Sequence, residues 1–281
     1  MRGFWKNIGP QRWTLLGALT LGLAQLVVLA DWLLIRGAFP WLSLWFFGSL
    51  LLVLLILIYR KLIINYVESK TLANNGFAQT ESLFYLYSRL QLRKSLPRMR
   101  GFAISPDFAN LIVDHVLLEK PEVIVECGAG ISTLINGYLL EQLGQGQVFA
   151  LEHDGEFSRR TAAELGRHGL SAQASVIHAP LQSFQIEGKT WKWYSEKGWS
   201  ELPAIDFLIV DGPPAFLQAQ ARYPALPLLM EKLKPGAVVL VDDCVRQEDR
   251  QTVEQWIRQV PGWDLEWIRT EKMAALLRRR P

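Results

Sequence analysis

The stretch from Pro121 to Thr133, PEVIVECGAGIST, constrains the fold of this chain more than any other. Val123, Ile124 and Val125 form a continuous β-branched apolar run, which is typical of a parallel strand buried on both faces. An acidic residue ends the run, and two glycines then allow a sharp turn and close approach of the backbone to a ligand. The pattern predicts a strand, a ligand-binding turn and a helix, in that order.

Strands and helices alternate from this point to the end of the chain. The alternation predicts a doubly wound, mostly parallel α/β sheet of seven strands with helices on both faces, closed by an antiparallel hairpin. The predicted strands are 123–127, 147–152, 174–178, 205–211 and 237–242, with the hairpin at 264–269 and 272–277. The predicted helices are 132–142, 156–167, 217–233 and 248–259.

Two hydrophobic stretches, at about 13–35 and 37–59, open the chain. Each has the length needed to cross a bilayer of about 30 Å as a helix. Basic residues flank their outer ends, so the positive-inside tendency predicts a transmembrane hairpin with both termini in the cytoplasm. A cleaved signal peptide would explain only the first stretch. We therefore expect two membrane helices in 1–60, a helical connector in 61–104 and an α/β domain in 105–281.

Charge and cysteine content exclude some classes of function. The formal net charge is +3, which gives no support to nucleic-acid binding. Cys127 and Cys244 have neither the spacing of a metal site nor that of a disulfide framework.

Acidic residues end the predicted strands, where ligands bind in doubly wound sheets. Gly128 and Gly130 also match the first half of a dinucleotide-binding motif, so an NAD-dependent enzyme is an alternative. Thr133, however, replaces the third glycine, and Glu126 would place negative charge beside a pyrophosphate. That charge favours a cationic ligand such as S-adenosylmethionine, which carries a sulfonium and an ammonium. The acidic strand ends are Glu126, Glu152, Asp211, and Asp242 with Asp243.

Four motifs together resemble class I S-adenosylmethionine-dependent methyltransferases. They are ECGAGIST at 126–133, LEHD at 151–154, FLIVDGPP at 207–214 and VVLVDDC at 238–244. The chain is similar in particular to a bacterial membrane-anchored branch with EHD, DGPP and RYPALP elements. The resemblance covers about 101–281 and implies a Rossmann-like methyltransferase fold.

The resemblance also implies roles for single residues in binding S-adenosylmethionine. Glu126, Gly128 and Gly130 would line its methionine end, and Thr133 would cap the following helix. The Glu152 carboxylate would hold both ribose hydroxyls. His153 would lie beside the adenine, although it could instead be a solvent-exposed residue at the strand end. Asp211 would face the sulfonium and the acceptor and would be the catalytic residue.

Asp211, Asp242 and Asp243 resemble the metal ligands of catechol-type methyltransferases, although Asp243 stands where asparagine is expected. Hard oxygen ligands suit Mg²⁺ or a similar divalent cation. The alternative is an ordinary acidic loop without metal, in which one carboxylate is protonated or turned to solvent. Candidate acceptor-binding residues are Trp191, Tyr194, Arg222 and Tyr223, for which packing and loop anchoring are the alternatives.

These observations predict a methyltransferase anchored in the cell (inner) membrane as a multi-pass protein, with its catalytic domain in the cytoplasm. O-methylation is favoured by the resemblance. The anchor motivates the hypothesis of a lipid-linked or envelope-related acceptor, with the bilayer as a partner and no nucleic acid. The alternative is a cofactor-binding membrane protein without catalysis.

Overall fold

The computed structural model describes residues 22–23, 25–30, 40–99 and 101–280. The contacts divide the chain into two units, Met1–Asn74 and Asn75–Pro281.

Helix dominates the described part of the first unit. Residues 22–23 and 25–30 are helical, and helix α1 runs over Pro40–Arg89, well past the predicted end of the second span at Tyr59. Within the described residues, one helical segment, Phe47–Arg89, is long and apolar enough to cross a membrane. Its most apolar part has a mean hydropathy of 2.3. Residues 36–39, the predicted turn of the hairpin, lie outside the described residues, so the hairpin stays a prediction.

The second unit contains a seven-stranded sheet of order β3-β2-β1-β6-β7-β9-β8. Neighbouring strands from β3 to β7 are parallel, and β9 is antiparallel to both β7 and β8. The predicted mostly parallel sheet with a closing antiparallel hairpin is thus confirmed. The strands are β1 Val123–Cys127, β2 Gln147–Glu152, β3 Ala174–His178, β6 Ile205–Val210, β7 Leu233–Val241, β8 Trp263–Ile268 and β9 Ala274–Arg279. Strands β4 Leu181–Ile186 and β5 Lys189–Tyr194 form a separate antiparallel hairpin.

Successive residues of a strand point to opposite faces of the sheet, so the apolar strands present apolar side chains on both faces. Helices cover both of these faces. Ile124 packs in one core cluster and Val125 in the other. The first cluster contains residues of α2 and α3, and the second contains Trp256 of α6 with Trp193 of the β4–β5 hairpin. The helices are α2 Pro106–Glu119, α3 Ile131–Leu143, α4 Gly155–His168, α5 Ala225–Leu229 and α6 Gln247–Gln259.

The predicted helix at 217–233 is wrong in extent. The structure has a 3₁₀ turn at Ala215–Leu217, a loop, and the short helix α5. Pro224 and Pro227 lie in this region, and proline cannot donate the backbone hydrogen bond that a helix interior requires. Strand β7 accordingly begins at Leu233 rather than at Ala237.

Candidate active site

A cavity of about 560 Å³ opens where β1, β2 and β6 end. Its walls come from the loops that follow these three strands, together with residues 101–104 and parts of the hairpin and of the β7–α6 loop. Sheet neighbours β1 and β6 lie at the point where the strand order reverses, which is where doubly wound sheets bind ligands. The parallel strands thus bring together loops that are distant in sequence.

The glycine turn after β1 forms the floor of the cavity. Gly128 has a φ of 101°, a conformation that side-chain-bearing residues rarely adopt. The Asp211 amide donates to the Cys127 carbonyl at 3.1 Å, which fixes the β6 loop against this turn. Gly130 precedes α3, and its amide donates to the hydroxyl of Thr133 at 3.1 Å. Thr133 therefore lies at the start of α3 as a cap and is itself fully buried.

Glu126, which we expected at the methionine end of the cofactor, is not among the residues that line the cavity. Its side chain is buried beneath the start of α3 and accepts hydrogen bonds from Ser132 at 3.2 Å, Thr133 at 2.6 Å and Asn136. Burial raises the pKa of Glu126 to about 7, although these three donors oppose the rise. The carboxyl thus joins the end of β1 to α3 rather than facing a ligand.

Glu152 lines the cavity, as expected from its position at the end of β2. One carboxylate oxygen accepts from the Ala129 amide at 3.2 Å and the other from the Asp154 amide at 2.9 Å. These two amides belong to different loops, so the carboxylate is held in a fixed orientation across the floor of the cavity. His153 also lines the cavity, with its Nδ1 atom 2.9 Å from Glu152 Oε1.

Asp211 lines the same cavity as Glu152 and is bound to Arg222. Arg222 Nη2 donates to the Asp211 carboxylate at 3.0 Å and to its carbonyl at 2.9 Å. Burial raises the pKa of Asp211 to about 8, although the Arg222 guanidinium pulls it down. Arg222 itself is only 2% exposed. The arrangement offers a weakly acidic carboxyl with one fixed orientation beside the glycine turn.

Asp242 and Asp243 complete an acidic cluster with Asp211, in which one carboxylate oxygen of each lies within 4.8 Å of the others. Both oxygens of Asp242 are buried without a hydrogen-bond partner. Burial raises the pKa of Asp242 to about 6, with the Asp243 carboxylate adding to the rise. Burial also acts on Asp243, but the positive charges of Arg222, Lys272 and Arg246 outweigh it and lower the pKa.

The cluster does not fit a resident Mg²⁺, despite its three carboxylates. Arg222 Nη2 donates to Asp211 and to Asp243 at 3.0 and 2.7 Å, and so takes the position between two of the three expected ligands. Lys272 Nζ lies 3.8 Å from Asp242 and 3.7 Å from Asp243. A divalent ion at about 2 Å from these oxygens would have to displace one cation and approach another.

Two of the four candidate acceptor residues line the cavity, and two do not. Tyr194 and Arg222 belong to its wall, whereas Trp191 and Tyr223 are buried elsewhere and stack on each other with ring centroids 4.6 Å apart. The Tyr223 hydroxyl donates to Gln259 at 2.8 Å. Trp191 and Tyr223 thus pack in the core, as in the alternative interpretation. Arg222 anchors its loop by binding carboxylates.

An apolar rim that sequence reasoning missed surrounds the cavity. Phe102, Phe157 and Phe216 line it while remaining 76%, 45% and 75% exposed. These phenylalanines come from three loops or helix starts and share no sequence motif. Phe216 lies two residues after Pro214, the second proline of DGPP. Large exposed aromatic side chains at the mouth of a cavity are typical of binding surfaces.

Part of the sequence matches a known protein family, and the fold is similar to solved structures. Residues 125–244 match a family model described as a methyltransferase domain. The structure is similar to a methyltransferase from Podospora anserina bound to S-adenosylhomocysteine, with a TM-score of 0.51 and 13% identity over 73% of this chain and 88% of that chain. An O-methyltransferase from Bacillus cereus in complex with S-adenosylhomocysteine gives a TM-score of 0.49 and 16% identity, over 72% and 90% of the two chains. No curated protein sequence matches the chain.

Proposed function

We propose that this chain, whose residues 125–244 match a methyltransferase-domain model, is a class I S-adenosylmethionine-dependent methyltransferase that methylates an oxygen atom of an acceptor at the membrane. The observation that carries the proposal is the Glu152 carboxylate, which two backbone amides hold at the wall of the cavity beside the glycine turn. Its two oxygens can accept hydrogen bonds from the vicinal hydroxyls of a ribose. The turn at Gly128 and Ala129 leaves room for the methionine portion.

The chemistry requires alignment more than covalent assistance. S-adenosylmethionine supplies a methyl group activated by the positive charge on sulfur. The acceptor oxygen attacks the methyl carbon in line, the carbon–sulfur bond breaks, and its electron pair stays on sulfur. The acceptor proton passes to the Asp211 carboxylate. The main contribution of the protein is then to hold both reactants in line and to exclude water.

Calorimetric titration with S-adenosylhomocysteine tests the cofactor assignment. We expect the Glu152→Gln variant to bind about 10- to 100-fold more weakly, because a charged acceptor of two hydroxyl bonds is replaced by a neutral amide. Glu156→Gln, on the exposed first turn of α4, is the matched control and should bind as the unaltered protein does. Titration with NAD(H) tests the dinucleotide alternative. Binding of NAD(H) in place of S-adenosylhomocysteine would refute the proposal.

Asp211 is proposed as the base, which predicts a rate that depends on pH. Only its ionised form accepts a proton, so the rate should rise as pH increases through about 8 and level off above it. Asp211→Asn should lower the rate by about 10²- to 10⁴-fold and remove this rise. Its affinity for S-adenosylhomocysteine, measured in parallel, should change much less. An Asp211→Asn enzyme with full activity would rule out the role.

The acceptor is proposed to carry an apolar portion and to be reached from the membrane. The exposed phenylalanines 102, 157 and 216 support the apolar portion, since they offer aromatic surface at the mouth of the cavity. The apolar segment Phe47–Arg89 supports a membrane anchor. A lipid-linked or envelope-related acceptor, with the catalytic domain on the cytoplasmic side of the inner membrane, fits both. Transfer of labelled methyl groups into the lipid fraction of membrane extracts tests whether the acceptor is lipid-linked.

A further inference from the structure

The acidic cluster beside the cavity has an arginine at its centre. Arg222 enters from the loop between β6 and α5 and is 2% exposed. One terminal nitrogen donates to the carboxylates of Asp211 and Asp243, and the other donates to the Asp242 carbonyl at 2.7 Å. Its Nε atom lies 3.7 Å from Asp249. The guanidinium thus contacts the loops after both β6 and β7, the two strands whose ends form the cluster.

The charges of the cluster are nearly balanced by side chains that the structure describes. Within residues 101–280, the three carboxylates of the cluster are joined by that of Asp249, and the cations in contact with these four are Arg222, Arg246 and Lys272. One proton on these four carboxylates makes the group neutral. Adding a divalent ion would instead bring two further positive charges to a site that already holds three, which removes the electrostatic reason for binding.

We propose that Arg222, supported by Lys272, is the built-in cation of this carboxylate cluster, so that the cluster binds no divalent metal and methyl transfer does not require one. The guanidinium suits this position because its donors are fixed in a plane and reach several oxygens at once, and because it stays charged when buried. Arg222 is then a positioning residue, since it holds the carbonyl and carboxylate of Asp211 against the cavity. The absence of a metal requirement for transfer rests on the proposed function, whereas the assignment of the cation does not.

Titration of the full-length protein with Mn²⁺, followed by electron paramagnetic resonance, tests the cation assignment without any assay of activity. We expect no saturable site with a dissociation constant below about 1 mM. The melting temperature should also be the same in EDTA as in millimolar Mg²⁺. A stoichiometric Mn²⁺ site that is lost in Asp242→Asn would overturn the proposal. Weaker Mn²⁺ binding that is unchanged when Asp211, Asp242 and Asp243 are all replaced by asparagine lies outside the cluster and supports the proposal.

Replacing the arginine provides the complementary result. Arg222→Met should lower the melting temperature by about 6–20 °C, because the buried carboxylates lose their main partner. Millimolar Mg²⁺ should recover part of this loss in the variant but should not change the unaltered protein. Arg258→Met, which removes one exposed positive charge from α6, is the matched control. If Arg222→Met is as stable as that control, Arg222 is not the cation that holds the cluster together.

Calorimetry separates this proposal from the proposed function. Protein that binds S-adenosylhomocysteine while binding no Mn²⁺ supports both. Protein that binds neither refutes the proposed function, and the Mn²⁺ result still supports the cation assignment. Methyl transfer that stops in EDTA and returns with Mg²⁺ contradicts the metal-independent step even when the cofactor binds.

Discussion

At the scale of single residues, the carboxylates at the strand ends divide into two kinds. Glu152 and Asp211 face the cavity and are held there by partners that fix their orientation. Glu126 faces away from it and bonds to three side chains of α3. Because the surroundings of Glu126 are buried, its ionised form is disfavoured in the folded protein. A sequence pattern that places an acid beside a glycine turn therefore does not by itself identify a ligand contact.

The raised pKa of Glu126 predicts how stability depends on pH. Between pH 4.5 and about 7 the unfolded chain releases this proton while the folded chain keeps it, so the free energy of unfolding falls as pH rises. The raised pKa corresponds to about 3 kcal/mol at pH 8. Glu126→Gln removes this contribution and should gain stability relative to the unaltered protein as pH rises from 4.5 to 8. Melting temperatures measured across this range check the change.

The control for that experiment is Glu201→Gln, at an exposed position near the β6 strand. Its melting temperature should follow that of the unaltered protein at every pH. A Glu126→Gln variant whose stability difference from the unaltered protein is the same at pH 4.5 and at pH 8 would show that Glu126 is ionised normally in the folded state.

At the scale of elements, the β4–β5 hairpin and the loop after β6 meet at one point. The Tyr194 hydroxyl, at the end of β5, is buried without a hydrogen-bond partner. A Cβ atom added to Gly212 would overlap this hydroxyl, and it would lie 3.0 Å from the Cys127 carbonyl oxygen. Gly212 therefore allows three segments, the ends of β1 and β5 and the loop after β6, to come together beside the cavity.

This close approach predicts the behaviour of three variants. Gly212→Ala should lower the melting temperature because the added methyl group overlaps the Tyr194 hydroxyl. Tyr194→Phe should leave the melting temperature unchanged or raise it, since it removes a buried hydroxyl without a partner. The double variant should recover part of the loss, with the contact to Cys127 remaining. If the two changes are simply additive in thermal melts, Tyr194 and Gly212 do not interact as described.

The sheet was predictable from sequence, whereas the segment after the DGPP motif was not. The runs VIV at 123–125 and FLIV at 207–210 are continuously apolar and rich in β-branched residues, so they indicate buried strands without any tertiary information. The apolar residues of 217–233 suggested a helix, but burial of Arg222 among carboxylates and the prolines 224 and 227 restrict α5 to Ala225–Leu229. The partners of Arg222 come from the loops after β6 and β7 and from α6, and only the fold brings these together.

The site was predictable in its location but only partly in its residues. Strand ends fix the edge of the sheet at which the cavity opens, which is why Glu152 and Asp211 lie where we expected them. Trp191 and Tyr223 are buried outside the cavity lining, and the sequence left both packing and acceptor binding open because only the folded chain shows which way a hairpin or loop side chain points. The exposed Phe102 and Phe157 give no signal in the sequence, since their effect depends on loops that meet only in the folded chain.

At the scale of the whole molecule, the boundary of the second unit lies within α1. Leu86, Leu90 and Leu96 are buried in the core cluster that also contains Phe108 of α2. Gln79 donates to the Asp107 carboxylate at 2.8 Å. The α/β unit therefore includes residues well upstream of 105, where the sequence suggested that it begins.

Two truncations test this boundary. Residues 75–281 should fold, stay in solution and bind S-adenosylhomocysteine, because they retain the buried leucines. Residues 105–281 should melt far lower or fail to fold, since loss of these three side chains costs about 5–9 kcal/mol. The full-length chain should remain with membranes after alkaline carbonate extraction. Equal stability of the two truncated chains would place the boundary near 105 instead.

Both sulfhydryl groups of the chain are interior to the α/β unit. Cys127 and Cys244 are buried, and burial raises the pKa of each, that of Cys244 to about 12. An alkylating reagent can therefore reach neither one while the domain is closed. The rate of iodoacetamide labelling, measured by mass spectrometry, therefore reports how often the domain opens. One labelled residue lies at the end of β1 and the other just after β7.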